Sequence, residues 1–280
     1  MLAHRKNRSS HTRTIMNILD KIILYKKQEI AQRKQAVSPA ELEKTAFFSR
    51  KTFSLRSSLL DESRNGIIAE FKRRSPSKGI INAEADVVAV TTAYTEHGAS
   101  CLSVLTDEQF FGGSTADLMA ARINQVPILR KDFIIDEYQL LEAKAMGADV
   151  ILLIAACLTV QEVKRLAVFA KNLGMEVLLE LHAEEELEHI CDATGIIGIN
   201  NRNLKTFEVD IQRSLAMAQK IPAGKMKIAE SGIYAVTTIQ LFRENGFNGF
   251  LMGENFMKER DPGKAFAKFV QELAVSSKPA

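Results

Sequence analysis

The sequence predicts an α/β fold, a (β/α)8 TIM barrel with an N-terminal helical extension. Three observations lead there. Short apolar, β-rich runs recur eight times after residue 65, each followed by a helical pattern, and this alternation belongs to a parallel sheet covered by helices. Glycine stops several of those helices just before the next run, at Gly98, Gly147, Gly174 and Gly246. The turn after the first run reads RRSPSKG, where an open doubly wound sheet would carry a glycine-rich fingerprint. Eight consecutive units close a barrel.

The elements follow in order. Residues 1–15 are polar, unpatterned and followed by Met16, so they read as a disordered basic extension or the product of an upstream start codon. An arm for RNA or acidic lipid is the sharper alternative, thinly supported by four charges without aromatics. Residues 16–280 are expected to form a single barrel domain, with extra helices within about 16–60. Ile18, Leu19, Ile22, Ile23, Ile30 and Ala31 fall at helical spacing over 18–35. Ser38 caps and Pro39 opens a second helix over 39–47. Strands are predicted at 67–72, 100–105, 128–132, 150–154, 177–181, 196–200, 227–229 and 249–252. Helices are predicted at 136–146, 159–173, 183–193, 235–245 and 262–273, among others.

Composition narrows the class. The 280 residues are 46% hydrophobic and 25% charged, which suits a folded chain with a large core. Of the 37 basic residues, Arg5, Lys6, Arg8 and Arg13 sit in the first fifteen, leaving 33 against 34 acids. A near-neutral body argues against nucleic-acid binding as the main function. Cys101, Cys157 and Cys191 are odd in number and widely spaced, which predicts reduced thiols and no zinc module. No apolar run reaches a membrane span, and no secretory signal is present. The expectation is a cytoplasmic protein without nucleic-acid or membrane partners, monomeric by default.

Barrel chemistry belongs at the carboxyl ends of the strands. Glu70 and Lys72 share a face at the end of the first, and Leu129, Lys131 and Phe133 share one at the third. With that face inward, Arg130 and Asp132 point at the helices and can pair. Glu180 ends the fifth strand, and Asn200 and Arg202 share a face at the sixth. A single ion at a strand end is ordinary, but Glu70, Lys72, Lys131, Glu180 and Asn200 converging on one mouth point to acid–base work. His97 and His189 fall on helices and His182 follows strand five, so neither a His triad nor a metal site is expected. Ser231-Gly232 and Gly253-Glu254 follow strands seven and eight, where barrels commonly hold phosphate, and Ser75 can add a hydroxyl. Leu105, Phe111, Phe133, Leu152 and Ile154 lie on the opposite side and would accept a flat ring. Barrel filling explains Leu152 or Ile154 equally well; it explains the loop residue Phe111 less well.

These residues carry a resemblance. The chain from about Met16 onward resembles the indole-3-glycerol phosphate synthase family. The match rests on IIAEFKRRSPSKG, then LSVLTDEQFFGGS, PILRKDFIID, GADVILLIAA, LLELH, IGINNRNLKTF and IAESGI in order. It implies that the leading helices help cover the barrel mouth. The implied lyase reaction belongs to tryptophan biosynthesis. It converts 1-(2-carboxyphenylamino)-1-deoxyribulose 5-phosphate to indole-3-glycerol phosphate, carbon dioxide and water, without metal or organic cofactor. By resemblance Lys131 is the general acid at the ketone, and Glu180 orients it. Glu70 and Lys72 serve the carboxylate and the dehydration, and Asn200 and Ser231 hold the geometry. Arg202 lies near the aromatic carboxylate. Ser75, Gly232, Gly253 and Glu254 bind phosphate, and Leu105, Phe111, Phe133, Leu152 and Ile154 pack on the ring.

Physical chemistry adds two expectations. Burial should lower the pKa of Lys131 toward its task. A carboxylate facing phosphate would repel it, so Glu254 should offer only its backbone N–H, its side chain turned away and replaceable by Ala without effect on KM. The rivals are a Schiff-base aldolase using Lys72 or Lys131, phosphoribosylanthranilate isomerase, which would be expected to carry Cys at the first strand end, and a barrel kept as a binding protein. No fused second enzyme is expected.

Overall fold

The structure is a computed structural model that describes residues 17–203, 206 and 208–276. The expected extension at 1–15 lies outside the described residues. Eight parallel strands close a barrel: β1 (Ile67–Phe71), β2 (Cys101–Leu105), β3 (Ile128–Lys131), β4 (Val150–Ile154), β5 (Glu176–Leu181), β6 (Ile196–Asn200), β7 (Met226–Glu230) and β8 (Gly249–Met252). Each pairs with its sequence neighbours, and β1 pairs with β8 through Ile67–Phe250, Ile68–Leu251 and Ala69–Met252. The predicted strand ends shift by about a residue; β7 gains Glu230, which matters below.

The outer ring consists of α4 (Val87–Glu96), α5 (Thr115–Ala121), α6 (Glu137–Ala145), α7 (Val160–Asn172), α8 (Ile211–Ala218), α9 (Val236–Glu244), α10 (Glu254–Met257) and α11 (Pro262–Ser276). Outward strand residues such as Ile67, Val104 and Leu179 meet these helices in the larger apolar cluster. Inward residues Ile68, Cys101, Leu129, Val150, Leu178, Ile196 and Ile228 fill the barrel as a second cluster. Arg130 and Asp132 point to the helix side as expected and pair at 3.1 Å, both fully desolvated.

Before the barrel come α1 (Ile18–Ala36), α2 (Pro39–Leu42) and α3 (Leu55–Leu59). Asn17 and Asp20 cap α1 reciprocally. Its buried residues Ile22, Lys26 and Ile30 recur every fourth position, so one stripe faces the barrel. Leu55 and Leu59 of α3 join the inward cluster at the amino-terminal ends of the strands. Two predicted helices are corrected. The second extra helix stops at Leu42 rather than 47; the Thr45 hydroxyl donates to the Leu42 carbonyl at 2.8 Å and to the Ala145 carbonyl at 3.2 Å, and Phe47 packs against Gly147. The segment expected as a helix at 183–193 is a short 3-10 turn, Glu184–His189. Glu186 folds back to accept the His182 N–H at 2.6 Å, and the His189 ring bonds the Leu158 carbonyl at 3.0 Å. Those side-chain bonds compete with helix propagation. Among the described residues, no helix is long and apolar enough to cross a membrane.

Candidate active site

The carboxyl ends of the strands open into a cavity of about 940 Å3. Strand alternation sends Glu70, Lys131, Glu180, Asn200 and Glu230 into it, one layer above the apolar inward cluster. A dry floor leaves these groups to satisfy one another. Lys131 Nζ lies 2.7 Å from Glu180 Oε2 and 3.6 Å from Glu230 Oε2. Glu180 Oε1 accepts from Asn200 Nδ2 at 2.9 Å and stands 3.0 Å from His182 Nε2. Lys72 Nζ pairs with Glu70 Oε1 at 2.7 Å, and Ser103 donates to Glu70 Oε2 at 3.4 Å.

Burial works against charge on Lys131, but the carboxylates of Glu180, Glu230 and Glu70 outweigh it and hold the ammonium above its ordinary pKa. The expected lowering is therefore corrected: desolvation is present, and three acids override it. Glu180 is likewise held ionised against burial, well below the usual carboxylate range, by Lys131 and His182. Glu230 goes the other way. Burial and the neighbouring Glu180 push it well above its ordinary value, more than Lys131 pulls it down. The two acids are driven in opposite directions, Glu180 toward the carboxylate and Glu230 toward the protonated form.

Sequence reasoning missed two members of this cluster. Glu230 follows Met226 and Ile228 on the inward face of β7, and that alternation was the available signal. Its room comes from β6, where a Cβ on Gly198 would sit 2.0 Å from Glu230 Oε1. His182 lies one residue past the strand end, yet its buried ring reaches Glu180.

All the expected site residues line the cavity except Gly232 and Gly253. Those glycines are required by close approach: a Cβ would meet Val209 at 2.4 Å and Glu70 Cβ at 2.7 Å respectively. Ser231 has φ 67° and Gly232 φ 69°, a left-handed pair that turns successive backbone groups one way after β7. The Asn201 amide holds this turn by donating to the Ser231 carbonyl at 2.7 Å. Ser75 belongs to a two-stranded hairpin after β1, pairing Arg74 with Ile80 and Ser75 with Gly79.

The Glu254 side chain does not turn away. Its carboxylate lies 3.6 Å from Lys78 Nζ and 3.7 Å from Arg202 Nη2, because both cations face it across the rim. Arg202 thus stands next to Glu254 and 3.5 Å from the Ser77 hydroxyl, between the β1 loop and the end of β8. Across the cavity, Phe111 and Phe133 pair with ring centres 5.9 Å apart beside Leu105, Leu152 and Ile154. The cavity therefore has an apolar end on β2–β4, a charged rim where Lys78 and Arg202 meet Glu254, and a buried proton-bearing cluster between.

A family profile described as indole-3-glycerol phosphate synthase matches residues 19–269. The chain belongs to the indole-3-glycerol phosphate synthase family. Relatives bearing that name include one from Bacteroides thetaiotaomicron, 47% identical over 92% of this chain and 99% of its own length. Another, from Bordetella pertussis, is 44% identical over 91% and 99% respectively. Among solved structures, a mutant tryptophan synthase alpha-subunit from Pyrococcus furiosus aligns with TM-score 0.57 at 17% identity, over 75% of this chain and 98% of that one. At that identity the likeness speaks for the barrel alone. Family membership covers α1 through most of α11, so the extra helices and the barrel belong to one matched unit.

Proposed function

We propose that the protein is a carboxy-lyase that closes 1-(2-carboxyphenylamino)-1-deoxyribulose 5-phosphate to indole-3-glycerol phosphate, releasing carbon dioxide and water. The observation that carries this reading is the charged Lys131 held inside a dry-floored cavity by Glu180, with a second acid, Glu230, beside it. The aromatic ring lies between Phe111 and Phe133, against Leu105, Leu152 and Ile154. The phosphate lies toward Ser75, the Ser231-Gly232 turn and the Gly253-Glu254 backbone. Lys72 neutralises the aromatic carboxylate, while Arg202, beside Glu254 and Ser77, stands on the phosphate side.

The chemistry then follows the charges. Lys131 donates a hydrogen bond to the substrate ketone and gives its proton to the oxygen as the ring carbon attacks. Glu180, fixed by Asn200, keeps the ammonium aimed and supports its reprotonation, while Ser231 holds the geometry. The ring nitrogen pushes electrons toward the new bond, and the carboxylate leaves as neutral carbon dioxide, restoring aromaticity. Lys72 then protonates the departing hydroxyl and Glu70 collects the proton lost from the ring system, which completes the indole and releases water. A Schiff base at Lys131 is disfavoured, since the surrounding carboxylates favour its ammonium and an ammonium is no nucleophile.

The chain contains no tryptophan, so product indole fluorescence stands against a weak background. Purified protein mixed with substrate should show a rise, and Lys131→Ala should slow it by about 10²–10⁴-fold. A flat trace from folded wild-type protein would refute the proposed activity.

A further inference from the structure

Helix α1 reaches the cavity through Asn17, Ile18, Leu19 and Ile22, and one turn further it buries a lysine. Lys26 is 1% exposed and occupies the centre of the stripe flanked by Ile22 and Ile30, where a third apolar residue would be the ordinary choice. Its ammonium meets three carboxylates: Glu29 at 2.8 Å, Asp107 at 3.0 Å and Asp132 at 2.9 Å. Burial opposes that charge, and Asp132 and Asp107 more than compensate.

The two aspartates each do a second job with their other contacts. Asp107 follows β2, and its Oδ1 accepts the backbone N–H groups of Phe110 at 2.7 Å and Phe111 at 3.1 Å. Asp132 follows Lys131, and its Oδ1 accepts the Phe133 N–H at 2.8 Å while Oδ2 accepts from Thr106 at 2.6 Å. One ammonium therefore joins the turn presenting Phe111 to the turn presenting Phe133. These are the two rings that face each other at 5.9 Å. Without it, the desolvated carboxylates of Asp107 and Asp132 would face each other with no ammonium between them; Asp132 would keep Arg130, and Asp107 would be driven toward water, pulling its turn with it.

We propose that Lys26 is a positioning residue for the aromatic half of the substrate: from helix α1 it sets the spacing of Phe111 and Phe133. The assignment rests on the ring-closure reading above, which puts the substrate ring between those side chains. A merely structural lysine would weaken the whole site evenly. A positioning lysine weakens one half.

Titration calorimetry with two probes separates these. The first probe is the substrate with its ketone reduced to the alcohol, which carries the ring and cannot cyclise; the second is inorganic phosphate. Lys26→Met should weaken the reduced substrate about tenfold, the scale of a small misplacement in a preorganised site, and leave phosphate within about twofold. Lys26→Arg, which keeps the charge, should recover most of the loss. If Lys26→Met melts below the assay temperature, the double variant Lys26→Met with Asp107→Asn replaces it. That variant removes one stranded charge and keeps the amide acceptor at Phe111, and the same split is expected. Equal weakening of both probes, or no change in either, overturns the proposal. Wild-type protein that binds phosphate but neither binds the reduced substrate nor turns over the substrate refutes the functional reading itself, and this assignment with it.

Discussion

Lys131, Glu180 and Glu230 share one buried site with one ammonium and two carboxyl groups, and the geometry divides the charges. Glu180 takes the short contact to Lys131 at 2.7 Å and is held ionised; Glu230, at 3.6 Å, is left with a raised pKa. The sign of the consequence is fixed. An unfolded chain ionises Glu230 as the pH rises past its ordinary value of 4.5, while the folded chain holds the proton to a higher pH. Folding therefore loses stability with rising pH at this residue, by up to about 1.4 kcal/mol per pH unit, until Glu230 ionises in the folded state too. Glu230→Gln removes that dependence. The melting temperature of the variant relative to wild type should rise between pH 5 and pH 8, and a constant gap would mean Glu230 titrates normally. Glu254 makes a second residue-scale prediction. Its carboxylate pairs with Lys78 and Arg202 at the end of the cavity assigned to phosphate, so it competes with that anion for the same cations. Glu254→Ser should lower the substrate KM by about two- to fivefold, a gain on the scale of one exposed ion pair. An unchanged KM would show that the carboxylate moves aside without cost.

Individual elements carry constraints of their own. The turn after β7 places Ser231, a residue with a Cβ, in the left-handed region at φ 67°. Such a conformation costs about 1 kcal/mol in a non-glycine residue and persists where its surroundings impose it. Here the Asn201 amide on the Ser231 carbonyl is part of that surrounding structure. Ser231→Gly should raise stability by at most about 1 kcal/mol in urea unfolding, since the relieved backbone is partly offset by the freer unfolded chain, while lowering activity through loss of the hydroxyl. A variant that is neither more stable nor less active would separate the strain from the site. Strand β6 carries the complementary constraint at Gly198, where any side chain would occupy the space of the Glu230 carboxyl. In α1, by contrast, the helix itself is unstrained and doubly capped, and the unusual feature is the charge it buries at Lys26.

At the scale of the whole molecule, buried ion pairs join elements distant in sequence. Lys26 of α1, Asp107 after β2, and Arg130 and Asp132 at the end of β3 form one desolvated network. Against its burial, Arg130 and Lys26 hold Asp132 well below its ordinary value of 3.8. A depressed carboxylate stabilises the fold above its unfolded pKa, and that contribution fades as the pH falls through the folded value. The protein should therefore lose stability steeply below about pH 4, by about 1.4 kcal/mol per pH unit for each such group. Asp132→Asn should be less stable than wild type at pH 7 and show a shallower acid decline. Parallel slopes in acid-unfolding curves would place the acid-sensitive group elsewhere.

The eight strands, most of the helices and the residues at the strand mouths are legible in the amino-acid order alone, because each is written in local periodicity. A two-residue alternation puts Arg130 and Lys131 on opposite faces whatever the rest of the chain does, and closure of the barrel makes Lys131 the inward one. The signature segments likewise marked Glu70, Lys72, Lys131, Glu180 and Asn200 as one constellation. Tertiary structure decided how those groups partition charge, since a pKa depends on distances across the barrel that no spacing encodes. Lys131 was expected to lose basicity by burial and instead gained it from three acids on β1, β5 and β7. Glu254 was expected to turn from the cavity and instead faces two cations brought there from the β1 and β6 loops. The 3-10 turn at Glu184–His189 and the burial of Lys26 were illegible for the same reason. Each depends on a partner more than 30 residues away in sequence, Leu158 for His189 and Asp107 or Asp132 for Lys26, and only chain closure brings the two together.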